Sequence, residues 1–216
     1  RLDALRARDQ LAGTIIGVNL GKNKDTPLGA AAGDYTVCMQ RLHSLADYFT
    51  LNLSSPNTPG LRQLQHGSEL SELLDQVKEM QQRLAQGGGV TPLLLKVAPD
   101  LDDEDIERIA EQVVRHELEG LIATNTTLDR GAVAGHPSSA EAGGLSGAPL
   151  TEVSCAVVQK FRRILPAKLP IVGVGGIGNV EDAQAMLDSG ASLLQIYTSF
   201  IYQGPKLVRS LAQNVV

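Results

Sequence analysis

The 216-residue chain has only two cysteines, Cys38 and Cys155, and they stand far apart in sequence. Two isolated thiols make neither a disulfide framework nor a metal motif, and they suit a reducing compartment as two small buried hydrophobes. No apolar run reaches the 18 or so residues that would span a bilayer. Basic residues are not in excess: 19 Lys and Arg against 24 Asp and Glu leave a net charge of −5. That balance excludes the electrostatic footprint of a nucleic-acid binder. The opening residues lack the charged, apolar and small-residue pattern of a signal peptide. There is no GxGxxG after the first strand-like run, no HExxH, and no spacing of His, Asp and Ser that would make a nucleophilic triad. His43, His66, His116 and His136 fall in helix-like or loop-like stretches without a pattern, so none is a candidate catalyst.

What is present is 43% apolar sequence arranged in short repeated units. Strand-like runs recur at 14–18, 48–51, 93–97, 120–123, 170–174 and 193–196. They are continuous rather than alternating, as in strands buried on both faces of a parallel sheet. Amphipathic helices lie between them. Ser68 is placed to cap one with Leu70, Leu73, Leu74, Val77, Met80 and Leu84 on a single face and Gly87 as its stop. The acidic run 100–105 opens a second, with Ile106, Ile109, Ala110, Val113 and Val114 facing inward. Acids in a first turn satisfy free N–H groups and the helix dipole, so this run needs no metal to explain it. Thr151 opens a third helix carrying Val157, Val158 and Phe161. Asn179 opens a fourth carrying Ala183, Met186 and Leu187, with Gly190 as its stop.

Alternation of strand and helix specifies a doubly wound sheet or a (β/α)8 barrel. Without a dinucleotide fingerprint the barrel is the better reading, with about six of its eight units visible. The segment 1–11, RLDALRARDQL, reads as a helix already under way. The expectation is therefore that residues 1–216 are the C-terminal part of a single barrel domain, inactive by itself.

Each strand-like run ends in a polar or glycine signature: Asn19, Asn52, Lys96, the TNTT of 124–127, Gly175-Gly176, and Tyr197-Thr198. The C-terminal strand ends are where barrel enzymes place their chemistry. The segment 51–62, LNLSSPNTPGLR, is the densest of these. Its Ser, Asn and Pro residues would also make an ordinary turn. Lys96 is the lone charge in an apolar strand. Either its stem snorkels to water or its ammonium meets something electron-rich in a pocket. Gly175 and Gly176 follow what would be the seventh strand, where barrels commonly hold a phosphate. Tight strand–helix packing would explain the same glycines. The long loop 128–149 ends in GGLSGAPL and could bring Ser146 and Gly147 to that phosphate.

These motifs, in this order, resemble the dihydroorotate dehydrogenase family, and within it the class 2, quinone-dependent bacterial type. The resemblance rests on GVNLGKNK at 17–24, NLSSPNTPGLR at 52–62, LLKVAPDL at 94–101 and ATNTT at 123–127. GGLSG at 143–147, GVGGI at 173–177 and QIYT at 195–198 complete it. It implies an FMN-containing barrel that oxidises dihydroorotate to orotate in pyrimidine synthesis and passes electrons to a quinone. Ser55 matches the family's catalytic base, which is Cys in class 1. Asn19, Asn52, Lys96, Thr124, Ser146, Gly147, Gly175, Gly176, Tyr197 and Thr198 match the FMN contacts. Asn52, Asn57, Asn125 and Thr126 match the substrate contacts. The family's membrane and quinone contacts belong to N-terminal helices that are absent from these residues. By resemblance the protein sits peripherally on the cytoplasmic side of the bacterial inner membrane. Another flavin-dependent barrel acting on a different pyrimidine, and a non-catalytic piece of such a barrel, are the competing readings.

Overall fold

A computed structural model describes residues 2–7, 13–86 and 88–215 of the chain. Gly87 and residues 8–12, the latter part of the helix expected at the start, lie outside the described residues. Six parallel strands pair strictly in chain order: β1 Gly17–Leu20, β2 Tyr48–Asn52, β3 Leu93–Val97, β4 Gly120–Ala123, β5 Ile171–Val174 and β6 Leu193–Gln195. A doubly wound sheet reverses its strand order at a switch point. This one does not, so it is the curled sheet of a partial (β/α)8 barrel. The helices are α1 Leu2–Ala7, α2 Ala31–Leu42, α3 Gly67–Ala85, α4 Asp103–Arg115, α5 Thr151–Ile164, α6 Val180–Asp188, α7 Thr198–Gln203 and α8 Pro205–Asn214.

Strand side chains alternate between the two faces. Phe49, Leu51, Leu93, Leu95, Val97, Leu121, Ala123 and Ile171 point outward into the main core, against the helix layer. Facing the other way, Leu94, Ile122 and Val174 form a smaller cluster with Tyr48 and Val172, which is the barrel interior. Gly17 belongs to that inner face, since a Cβ there would lie 2.0 Å from the Tyr48 ring. The same parity puts Asn52 and Lys96 inside, directly paired in register at the C-terminal end of the sheet.

Several expectations need correction. The first strand is Gly17–Leu20, not 14–18. Thr14 and Ile15 are exposed, and the chain becomes a strand only where it can pair with β2, starting at Gly17↔Tyr48. Asn19 therefore sits within the strand, not after it. Ser68 lies inside α3, whose N-cap position is His66 with no side-chain cap. Val114 is exposed, being rotated off the buried stripe of Ile106, Ile109, Ala110 and Val113. Thr151 begins α5 but does not cap it: its hydroxyl donates to the carbonyls of Ala148 and Gly176. Asp102 and Asn179 do cap, accepting from the amides of Asp105 and Asp182 at 2.8 Å each.

Candidate active site at the strand C-termini

Lys96 anchors the site. Its half-buried side chain rises from the inner face of β3, and Nζ lies 3.4 Å from Gln195 Oε1 on β6. No carboxylate is paired with it among the described residues, and burial holds its pKa below the ordinary 10.5. A desolvated cation with only a neutral amide beside it is unfavourable in isolation. Its ammonium opens onto a cleft of about 180 Å³.

That cleft gathers the expected cofactor residues Lys96, Thr124, Ser146, Gly147, Gly175, Gly176, Tyr197 and Thr198, and also the expected substrate residues Asn125 and Thr126. Its floor is built by close backbone packing on α5. Gly176 has φ +81°, and a Cβ there would fall 2.4 Å from the Thr151 amide nitrogen. A Cβ on Gly175 would fall 2.3 Å from Ser154 Oγ. Both glycines thus have a packing reason as well as a place in the cleft wall. The Thr124 hydroxyl lies 2.9 Å from the fully buried Ser154 Oγ on α5 and also donates to the Asn125 carbonyl at 3.0 Å, joining α5 to the loop after β4. On the opposite rim Thr198 Oγ1 donates to Ser146 Oγ at 3.0 Å and joins α7 to the end of the long loop.

Beside the cleft lies an amide and hydroxyl cluster. Asn125 Nδ2 donates to Ser54 Oγ at 3.0 Å and to Asn52 Oδ1 at 3.3 Å. Ser54 is fully buried, and its hydroxyl donates to Asn52 Oδ1 at 3.0 Å. Asn125 Oδ1 accepts the Thr126 amide at 2.8 Å. Tyr35, buried beneath, donates to the Asn52 carbonyl at 3.0 Å. Ser55 and Asn57 follow on the loop, Ser55 half-buried and Asn57 exposed, with Ser55 Oγ accepting the Asn57 amide at 3.2 Å. Gly143 and Gly144 lay the long loop over them. A Cβ on Gly144 would meet Thr126 Oγ1 and Pro56, and one on Gly143 would come 3.2 Å from Asn57 Oδ1.

Of the expected residues, Asn19, Asn52, Ser55 and Asn57 are not in the cleft wall; the last three belong to the adjoining cluster and its loop, whereas Asn19 is exposed on β1, level with Thr50, apart from both. The histidines are engaged away from the cleft, His66 with Asp105 and His116 with Asp75 and the Gln112 carbonyl. Among the described residues no group of His, Cys, Asp and Glu could hold a metal ion. No described helix is long and apolar enough to cross a membrane.

Four site residues escaped the sequence reading: Ser54, hidden beside Ser55 in a polar turn, and Gln195, Arg62 and Asp100. Gln195 was detectable as a polar residue at an inward position of an apolar strand. Arg62 and Asp100 were not. Arg62 looked like the tail of a turn, and Asp100 like the first acid of a helix. In the structure Asp100 lies before α4 and takes no part in its cap. It pairs with Arg62 at 2.6 Å.

The family described as Dihydroorotate dehydrogenase matches the chain over residues 2–216. A dihydroorotate dehydrogenase (quinone) of Paraburkholderia phymatum is 55% identical over 199 residues, 92% of this chain and 58% of that protein. One from Burkholderia pseudomallei is 54% identical over 202 residues, 93% of this chain and 59% of its own length. Two crystal structures of DHODH from Eimeria tenella superpose closely. The complex with ferulenol has TM-score 0.89 at 34% identity and covers 99% of this chain and 61% of that one. The ligand-free form has TM-score 0.88 at 35% identity and covers 99% and 63%. The chain spans about three fifths of the length of the relatives it matches. A profile match along nearly the whole chain, half-identity to these relatives and a shared backbone together place it: this chain belongs to the dihydroorotate dehydrogenase family.

Proposed function

We propose that this chain carries the flavin- and substrate-binding face of an enzyme that oxidises dihydroorotate to orotate, with FMN as hydride acceptor and a quinone as final electron acceptor. The observation that carries the reading is Lys96, a desolvated ammonium with a single neutral partner among the described residues, at a glycine-floored cleft beside the Asn52–Ser54–Asn125 cluster. Such a cation suits a ring system that gains negative charge, which is preorganised electrostatic stabilisation.

The residues present fit FMN. Lys96 and Gln195 would face the ring, with Thr124 in the wall, while Ser146, Gly147, Gly175, Gly176, Tyr197 and Thr198 would hold the phosphate-bearing end. Asn19, two strands from Lys96 across the sheet, would serve the cofactor only from the β1 side. When bound, FMN supplies the hydride acceptor. Asn52, Asn57, Asn125 and Thr126 offer paired donors and acceptors that suit a small planar amide with a carboxylate. Ser55 would take the proton from the substrate C–H. Its hydroxyl is a weak base in water, so this role requires a dry position; the loop carrying Gly143 and Gly144 lies against Pro56 and Asn57, which follow Ser55. The quinone follows the names of the two bacterial relatives, and peripheral contact with the cytoplasmic side of a bacterial inner membrane follows the family resemblance of the motifs.

A second reading has its own support. The chain matches only three fifths of its relatives' length, and β1 and β6 each have one neighbour in the sheet. It makes the chain a partial flavin site without turnover. Anaerobic mixing of dihydroorotate with the FMN-loaded chain separates the two. Bleaching of the flavin band supports oxidation. A loaded chain that never bleaches refutes it for this polypeptide. If bleaching occurs, Ser55→Ala should slow it at least about 100-fold and leave bound flavin unchanged, the size expected for losing a positioned general base. Undiminished bleaching would remove Ser55 from the reaction.

A further inference from the structure

Arg62 donates to three separate segments of the chain. Gly60 takes a left-handed φ of 70° and starts the short 3-10 turn Leu61–Gln65, which brings Arg62 back under its own loop. There Nε donates to the Ser54 carbonyl at 3.0 Å, one residue before Ser55. One terminal nitrogen donates to Asp100 Oδ2 at 2.6 Å in the loop after β3. The other donates to the Thr126 carbonyl at 2.7 Å in the loop after β4. Asp100 extends the connection, accepting the Leu128 amide at 3.1 Å and the Thr127 hydroxyl. Thr127 then pairs with Leu145 through reciprocal backbone bonds of 3.1 and 2.8 Å and draws in the long loop.

We propose that Arg62, held by Asp100, is a positioning residue that fixes the Ser55 loop against the Asn125–Thr126 loop. Neither Arg62 nor Asp100 lines the cleft. The proposal rests on the assignment of Ser55 and of Asn125 and Thr126 given above. The planar guanidinium is suited to this task, because its fixed fork can satisfy three acceptors in different directions. A Lys at the same place keeps the charge but presents a single nitrogen. The Ser54 and Thr126 carbonyls would then compete for it, and the two loops would lose their common reference. Ser55 itself makes no bond to the clamp, so the loop tip can still move while its base is fixed. Proton abstraction depends on ångström-scale placement, and a misplacement of that size costs about 100-fold in rate.

The test uses the FMN-loaded chain with Arg62→Lys and Asp100→Asn, which leaves both carbonyl bonds of Arg62 in place. Hydrogen exchange over 53–62 and 124–128 is read alongside the bleaching rate and the affinity for orotate. Both variants should exchange on the order of tenfold faster in these two loops, with 93–97 in β3 unchanged as a control. The Arg62→Lys bleaching rate should fall on the order of 10- to 100-fold while bound FMN and orotate affinity change less than about threefold. Asp100→Asn should fall between it and the unaltered chain. Unchanged exchange in both loops would overturn the clamp. Faster exchange with an undiminished bleaching rate, or a loss explained wholly by weaker orotate binding, would overturn the positioning role. If the unaltered chain does not bleach, the proposed function fails for this chain and the exchange data alone decide the clamp.

Discussion

Replacing Lys96 by Met should make the flavin-free protein more stable and the site worse. Met keeps the length of the stem and removes the charge. The ammonium is desolvated on the inner face of β3, and among the described residues its compensating contact is a 3.4 Å approach to Gln195 Oε1. Desolvating an ion costs several kcal/mol after relaxation, and a good hydrogen bond to a charged group returns about 1.5–3 kcal/mol. At 3.4 Å the return is at the lower end, so removal should gain roughly 1–2 kcal/mol. For a domain of this size that is about 2–8 °C in Tm. The sign with pH follows from the direction of the shift. Burial lowers the Lys96 pKa in the folded state below its ordinary 10.5, so folding releases a proton only at pH values between the folded-state pKa and 10.5. The penalty is fully present below the folded-state pKa and disappears as pH rises towards 10.5. The Tm advantage of Lys96→Met should therefore be largest near neutral pH and shrink on the alkaline side. Calorimetry from pH 6 to about 10 measures both. FMN titration should show weaker capture by the same variant. A lower Tm at pH 7, or an advantage that does not shrink with rising pH, would refute the account of Lys96 as an unpaired desolvated cation.

The floor of the cleft gives a paired test by thermal denaturation. Gly176→Ala places a methyl 2.4 Å from the Thr151 amide at φ +81°, whereas Gly178→Ala meets nothing nearer than 3.4 Å. Left-handed strain of about 1–2 kcal/mol and overpacking of about 1–3 kcal/mol predict a Tm loss of at least about 5 °C for the first and little for the second. Asp102→Ala removes the cap of α4 and should cost about 1 kcal/mol, read as a fall of about 2–4 °C. Burial alone would raise the pKa of Asp105, but hydrogen bonds from Arg108, His66 and the Asp102 backbone outweigh it and hold the carboxyl below its ordinary 3.8. Its stabilisation is thus present above pH 3.8 and lost as pH falls through the folded-state value. Asp105→Asn should be less stable than the unaltered chain at pH 7, and urea denaturation at descending pH should show the gap closing below pH 3.8.

The inner layer of the site was readable because it is carried by strands. Once 93–97 is a strand, parity alone puts Lys96 on the face of Leu94, and a parallel register brings Asn52 level with it. Continuous apolar runs and capping acids found most of the elements around it. The failures have local causes. Helix α2 was overlooked because its buried residues, Ala31, Ala32, Tyr35 and Met39, include two small ones, and Gly33 and Val37 interrupt the amphipathic pattern. The apolar run before β1 misled because Ile15, though hydrophobic, is 77% exposed and precedes the first residue paired with β2.

The outer layer was unreadable for a different reason, and that reason bears on mechanism. Arg62 reaches Asp100 across 38 residues and Thr126 across 64, between loops that have no periodicity to announce a partner. An isolated exposed ion pair would be worth little. This one is 18% and 29% exposed at its two side chains and also satisfies two backbone carbonyls, so its value lies in geometry rather than charge. The strand-borne layer fixes where a cofactor and substrate would lie. The loop-borne layer fixes where Ser55 stands relative to them. Changes at Lys96 should therefore show first in FMN capture, and changes at Arg62 first in the rate of proton removal with binding preserved. Parallel losses of binding and rate from both positions would mean that the two layers behave as one rigid unit.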